Sequence, residues 1–178
     1  MGDNSIPLQP DQHSILSQES SAYSRMVTIA NALQERLINI TPLYAKQPIQ
    51  NGFNWSEAFT GIEPGEWYLV VFRSQHRADV DEYALNEYDH RAYEAARNTP
   101  GFLYYFGGTP TEDHACLSFC LWQNQGQAKR ASAHEAHQTA ARLADQVYES
   151  FELERYVVRT TTDGVVQFVP LHSYSQTI

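Results

Sequence analysis

Residues 115–122 read Ala-Cys-Leu-Ser-Phe-Cys-Leu-Trp, and this alternation limits what the chain can become. Successive side chains on a strand face opposite sides. Ala115, Leu117, Phe119 and Leu121 therefore share one face, and Cys116, Ser118, Cys120 and Trp122 the other. Both sets are largely apolar. A strand apolar on both faces belongs at the centre of a sheet covered on both sides.

The flanking sequence supplies the rest of the sheet. Trp67–Phe72 is rich in β-branched and aromatic residues and predicts a first strand. Asp79 or Asp81 opens a helix to about Asn98, with Val80, Tyr83, Ala84, Tyr88, Ala92, Ala95 and Ala96 as its apolar stripe. Phe102–Phe106 is a second strand, residues 107–113 a hairpin loop, and residues 115–122 the third strand. Asn124 with Gln127, and Ser132 with Glu135, both match the capping-box spacing. They predict a short helix, a break, and a long helix to Ser150. Leu153–Thr161 and Val165–Val169 flank Asp163-Gly164, a strong hairpin signal.

Residues 66–159 thus read β-α-β-β-α-β, an α+β ferredoxin-like antiparallel sheet. Beside it stand an N-terminal helix from about Ala22 to Ile38 and a C-terminal hairpin strand. The expected organisation is a polar mobile arm over 1–19, a helix and connector over 20–65, and the sheet domain over 66–178. In such a unit both helices lie on one face of the sheet. The other face is equally apolar, and a soluble chain does not leave so large an apolar surface bare. The pattern predicts a homodimer in which a second copy closes over that sheet face across a two-fold axis.

Composition narrows the function. The chain has 178 residues, enough for one domain with a substantial core. A net charge of -9 without any Lys/Arg run disfavours nucleic-acid binding. No window approaches 18 apolar residues, so no membrane span is expected. The start, Met-Gly-Asp-Asn-Ser-Ile-Pro, lacks the basic and apolar regions of a signal peptide. Cys116 and Cys120 stand roughly 13 Å apart on one strand, too far for a disulfide. They read as small buried hydrophobes in a reducing cytoplasm. Phosphate-cradling glycine loops, dinucleotide fingerprints, nucleophile elbows and His-Glu-x-x-His are all missing, so neither a cofactor nor a metal is expected.

His137 is the first candidate for chemistry. It lies about 60° from the centre of its helix's apolar stripe, where an imidazole reaches a helix–sheet cavity and titrates near neutral pH. His134 lies about 120° away, on the solvated side. Arg73 closes the first strand and suits bidentate binding of a carboxylate or enolate. Trp122, Tyr104, Tyr105 and Phe106 are candidate walls of the same cavity.

The element order, the third strand ending in Trp122, and the following helices with Ala128 and His137 resemble the dimeric α/β-barrel superfamily, which includes antibiotic-biosynthesis monooxygenases. The strings Gly65–Tyr68, Phe72–Ser74, Gly101–Phe106, Cys116–Trp122 and Ala136-His137 resemble more specifically an uncharacterised protein family of fungi and bacteria. The first resemblance implies a cofactor-independent monooxygenase or isomerase acting on an aromatic or polyketide-like molecule, with His137 moving protons. The alternatives are a non-catalytic dimer holding a hydrophobic ligand or haem, and a purely structural assembly domain.

Overall fold

Six strands form one antiparallel sheet in a computed structural model of the protein. It describes residues 12–161, 163–171 and 173–177, the side chains of residues 12–19 and 82 excepted. The strands are β1 (Gly65–His76), β2 (Phe102–Gly107), β3 (Ala115–Trp122), β4 (Tyr148–Thr160), β5 (Val166–Pro170) and β6 (Tyr174–Thr177). Their order is β2-β3-β1-β4-β5, with β6 beside the first half of β4. β3 lies between β2 and β1, and its Leu117, Phe119 and Leu121 are fully buried. The order of the first four strands, with helices between β1 and β2 and between β3 and β4, is the ferredoxin-like arrangement expected from the sequence.

The register of β2 slips by one residue between Phe102 and Tyr104, the mark of a β-bulge. Leu103 and Tyr104 consequently pack into the same core although they are neighbours in sequence. Phe102 stays opposite Trp122, and Tyr105 falls opposite Cys120.

The face bearing Leu69, Val71, Leu117, Phe119 and Leu121 is covered by the chain's own N-terminal third. Helix α1 (Gln12–Arg36) lays down Ile29 and Leu33, and Leu37, just past its end, continues the stripe at the same spacing of four. A 3-10 turn (Tyr44–Lys46) and two single-turn helices, α2 (Ile49–Gly52) and α3 (Trp55–Ala58), complete the roof. Phe53 meets Phe119 and Phe106 edge-on, with ring centroids 5.0 and 4.9 Å apart. The Trp55 ring is 5.4 Å from Phe119, and its Nε1–H donates to the Ile49 carbonyl at 2.8 Å, so its one polar atom is satisfied in the core. The expectation that a second copy closes over this face is thereby corrected. The apolar area that demanded a cover is already buried against residues 29–59.

The opposite face carries α4 (Glu82–Arg97), α5 (Gln125–Ser132), α6 (Glu135–Arg142) and α7 (Ala144–Val147). Asp81 caps α4, accepting from the Tyr83 and Ala84 N–H groups at 3.1 Å each. Asn124 caps α5 through the Gln127 N–H. Other boundaries differ from expectation. The predicted long helix breaks at Leu143, and β4 begins at Tyr148. The cause is tertiary: β1 runs on to His76 and offers Tyr148 a partner, while Phe72 gathers the Tyr148 and Phe151 rings at 5.3 and 5.5 Å. His134, not Ser132, caps the helix after the break. Residues 12–19, expected as part of a mobile arm, are helical, whereas residues 1–11 lie outside the described residues. Tyr83, assigned to the α4 stripe, is 78% exposed. Beyond the expected C-terminal hairpin strand, Tyr174–Thr177 also pairs with β4, as β6.

Candidate functional site

Several chemistry-bearing side chains gather on the helix side, where α4 packs on β2 and against α6. Asp89 shares a face of α4 with Ala92 and Ala96, at i, i+3 and i+7. Both alanines are buried, and their small size brings the helix close to the sheet. Across that gap the Tyr105 hydroxyl donates to Asp89 Oδ2 at 2.6 Å. The Tyr93 ring lies 5.1 Å from that of Tyr105 and covers it.

Burial, then the neighbouring Asp89 charge, drives the Tyr105 pKa far above its ordinary value. Tyr105 therefore stays protonated, its one hydroxyl proton directed at Asp89. The same two causes push the Cys120 thiol up to about 12, so it is neither a thiolate nor a nucleophile near neutral pH. Cys116 donates its thiol to the Gly108 carbonyl at 3.4 Å.

His137 stands in the first turn of α6. Its Nε2 is buried and has no hydrogen-bond partner among the described residues. Burial lowers its pKa, the nearby His134 adds to that, and Asp89 pulls the other way. The imidazole is thus neutral at pH 7. An unsatisfied buried polar atom costs about 1–3 kcal/mol, so a partner for it, such as a water, an ion or a ligand group, is called for. His134 is engaged instead: its Nδ1 accepts from the Ala136 N–H at 3.2 Å.

Of the residues expected to form one site, His137 and Tyr105 share a neighbourhood through Asp89. Trp122 lies on the same side of the sheet but belongs to a closed core with Tyr68, Phe102, Ala96, Ala128 and Ala131. Tyr104 and Phe106 face the N-terminal roof; the Phe106 ring stacks 5.3 Å from Phe119. Their expected role as cavity walls beside His137 is corrected: the bulge in β2 and the strand alternation send them to the other face.

Arg73 is on that other face too. Its Nε contacts the Glu154 carboxylate, and its two terminal nitrogens donate to the Ala45 and Gln47 carbonyls, each at 2.7 Å. The second oxygen of Glu154 accepts from the Tyr156 hydroxyl at 2.6 Å. Arg73 ties the 45–47 connector to the sheet at the floor of an open groove of about 420 Å³. The expectation that it shares a substrate with His137 is corrected by the sheet standing between them.

Asp89, Glu154 and His134 did not emerge from the sequence. Asp89 had a signal: a carboxylate at i, i+3 and i+7 with two stripe alanines. Glu154 had one as well, being in alternation with Tyr156 and Val158. His134 had none, because histidine is not among the favoured capping residues. Among the described residues no group of three or more His, Cys, Asp or Glu side chains is placed to hold a metal. No helix among them is long and apolar enough to cross a membrane.

A family model described as PB2B2.08-like matches residues 5–172. A search of curated proteins finds no match. Among solved structures, SnoaB, a cofactor-independent oxygenase from Streptomyces nogalater, is 14% identical; the alignment covers 52% of this chain and 91% of that one, with a TM-score of 0.42. The protein SO0527 from Shewanella oneidensis is 15% identical over 53% of this chain and 94% of its own, with a TM-score of 0.47. A conserved protein from Methanosarcina mazei Go1 gives 12%, 53%, 93% and 0.45 for the same quantities.

Proposed function

We propose, from the premise that the chain belongs to the PB2B2.08-like family, that it binds a small aromatic or polyketide-like molecule on the helix side of its sheet. His137 moves a proton of that molecule in a cofactor-independent isomerisation or oxygenation. The observation that carries this reading is the buried, unpartnered Nε2 of His137. A ligand hydroxyl or enol would supply the missing partner and lie in place for transfer.

The surroundings support it. A neutral imidazole is ready to accept a proton at pH 7, and burial holds His137 in that state. Tyr105, kept protonated and donating to Asp89, holds that carboxylate in place near His137, while the half-buried Val70 and Cys120 offer apolar surface on the same side. The reaction class follows the sequence resemblance to antibiotic-biosynthesis monooxygenases; the proton-transfer role follows the geometry. Cys116 and Cys120 form no disulfide, which suits a reducing cytoplasm.

The test is turnover of a panel of hydroxylated polycyclic aromatics by the protein and by His137→Ala and His137→Gln. Loss of a general base lowers the rate by about 10²- to 10⁴-fold, with affinity kept within a few-fold. Full turnover in His137→Ala would remove the assignment.

A further inference from the structure

We propose that His134 is a positioning residue for His137: its imidazole caps α6, and this cap holds only while His134 is unprotonated. The inference rests on the proton-transfer reading for its consequence, though not for its geometry.

His134 has extended backbone, φ -68° and ψ 142°, as a capping residue requires. Its Nδ1 accepts from the Ala136 N–H at 3.2 Å, and its carbonyl accepts from the Gln138 N–H at 3.1 Å. Ala136 and His137 are the second and third residues of α6. The bond that begins the helix is therefore made one residue before the side chain proposed to carry the chemistry.

Asp, Asn, Ser and Thr cap with oxygens that still accept at any pH between 5 and 8. An imidazole does not. An accepting Nδ1 requires the tautomer with its proton on Nε2. A second proton turns Nδ1 into a donor facing another donor. It also sets a positive charge at the end of the helix that already carries partial positive charge. Both effects act in the same direction, so acidification releases the first turn of α6 and with it the aim of His137.

Several charged groups surround His134. On its own helix stand Glu135 and His137. From α4, His90, Arg91 and Glu94 line a groove with it. Arg91 faces Glu87 at 3.9 Å and Glu94 faces Arg97 at 3.4 Å. From the last turn of α5 come Lys129 and Arg130, the latter donating to Gln127 Oε1 at 3.3 Å. None of these competes for Nδ1 in the structure.

The experiment is an NMR titration of the whole chain from pH 8 to pH 5, the range in which imidazoles take up a proton. It follows the His134 and His137 ring signals, the Ala136 amide, and the exchange protection of residues 136–138 corrected for intrinsic rates. The expected result is that the Ala136 amide moves with the His134 ring and that protection falls about fivefold, the size of an ordinary cap. His134→Asn, which caps without titrating, keeps protection level across the range. His134→Ala shows the low protection at every pH. An Ala136 amide that stays still while the His134 ring titrates would overturn the proposal, as would wild-type protection in His134→Ala at pH 8. With a turned-over substrate, His134→Asn should also flatten the part of the acid limb that His134 contributes. Retained turnover in His137→Ala would defeat the proposed function while leaving the cap to be judged by its own signals.

Discussion

Arg73 uses every nitrogen of its guanidinium inside the protein, one toward Glu154 and two toward backbone carbonyls. Both side chains of the ion pair are largely buried, 17% and 13% exposed. Removing one partner of such a pair leaves a desolvated charge, which is far more damaging than removing both. Arg73→Met should lower unfolding stability by about 3 kcal/mol in urea titrations and leave the His137 ring signals unmoved, because the sheet separates the two. His137 sets a pH dependence of its own. Burial depresses its folded pKa below the value near 6.5 of an unfolded imidazole, so between those values the unfolded chain binds more protons. Stability is then full above about pH 6.5 and declines as pH falls through the folded value. Urea unfolding at pH 7.5 and 5.5 should show the loss, and His137→Gln should show less of it. The sequence marked both residues as chemically capable. It did not show that they stand on opposite faces, because the alternation of β1 assigns a side chain to a face without saying what covers that face.

At the scale of elements, strands were more legible than helix ends. The central strand matched its expected limits, Ala115–Trp122, because eight alternating residues fit no other element. The Asp163-Gly164 turn likewise lies between two paired strands, as its sequence demands. The helix expected to run from a Ser132 cap to Ser150 was misjudged at both ends. Its apolar residues continue at helical spacing through Val147 to Phe151, yet Tyr148–Phe151 is strand, fixed by pairing with residues 74–76. Local periodicity cannot register a partner more than 70 positions away. The β2 bulge was hidden for a related reason: Phe102–Phe106 is aromatic or aliphatic at every position, so no alternation exists to reveal the extra residue. That concealed residue decides which tyrosine meets Asp89.

For the whole molecule, the argument that an apolar sheet face requires a cover was sound, and the structure supplies the cover from residues 29–59. The connector over 43–65, which looked like a passage between elements, carries the aromatic residues that fill the roof: Phe53, Trp55 and Phe59. Because burial of this face occurs within one chain, amide protection in β1 and β3 should be the same at about 1 µM and about 100 µM protein, whereas burial by association would weaken on dilution. Hydrogen-exchange mass spectrometry at the two concentrations distinguishes these cases. Cover drawn from the same polypeptide also changes how this face can evolve. Across a two-fold axis one sequence must fit itself, so each substitution appears twice and must be compatible with its own image. Here Phe119 meets Phe53 and Trp55, three independently variable positions, and a change on one side can be answered by a different change on the other.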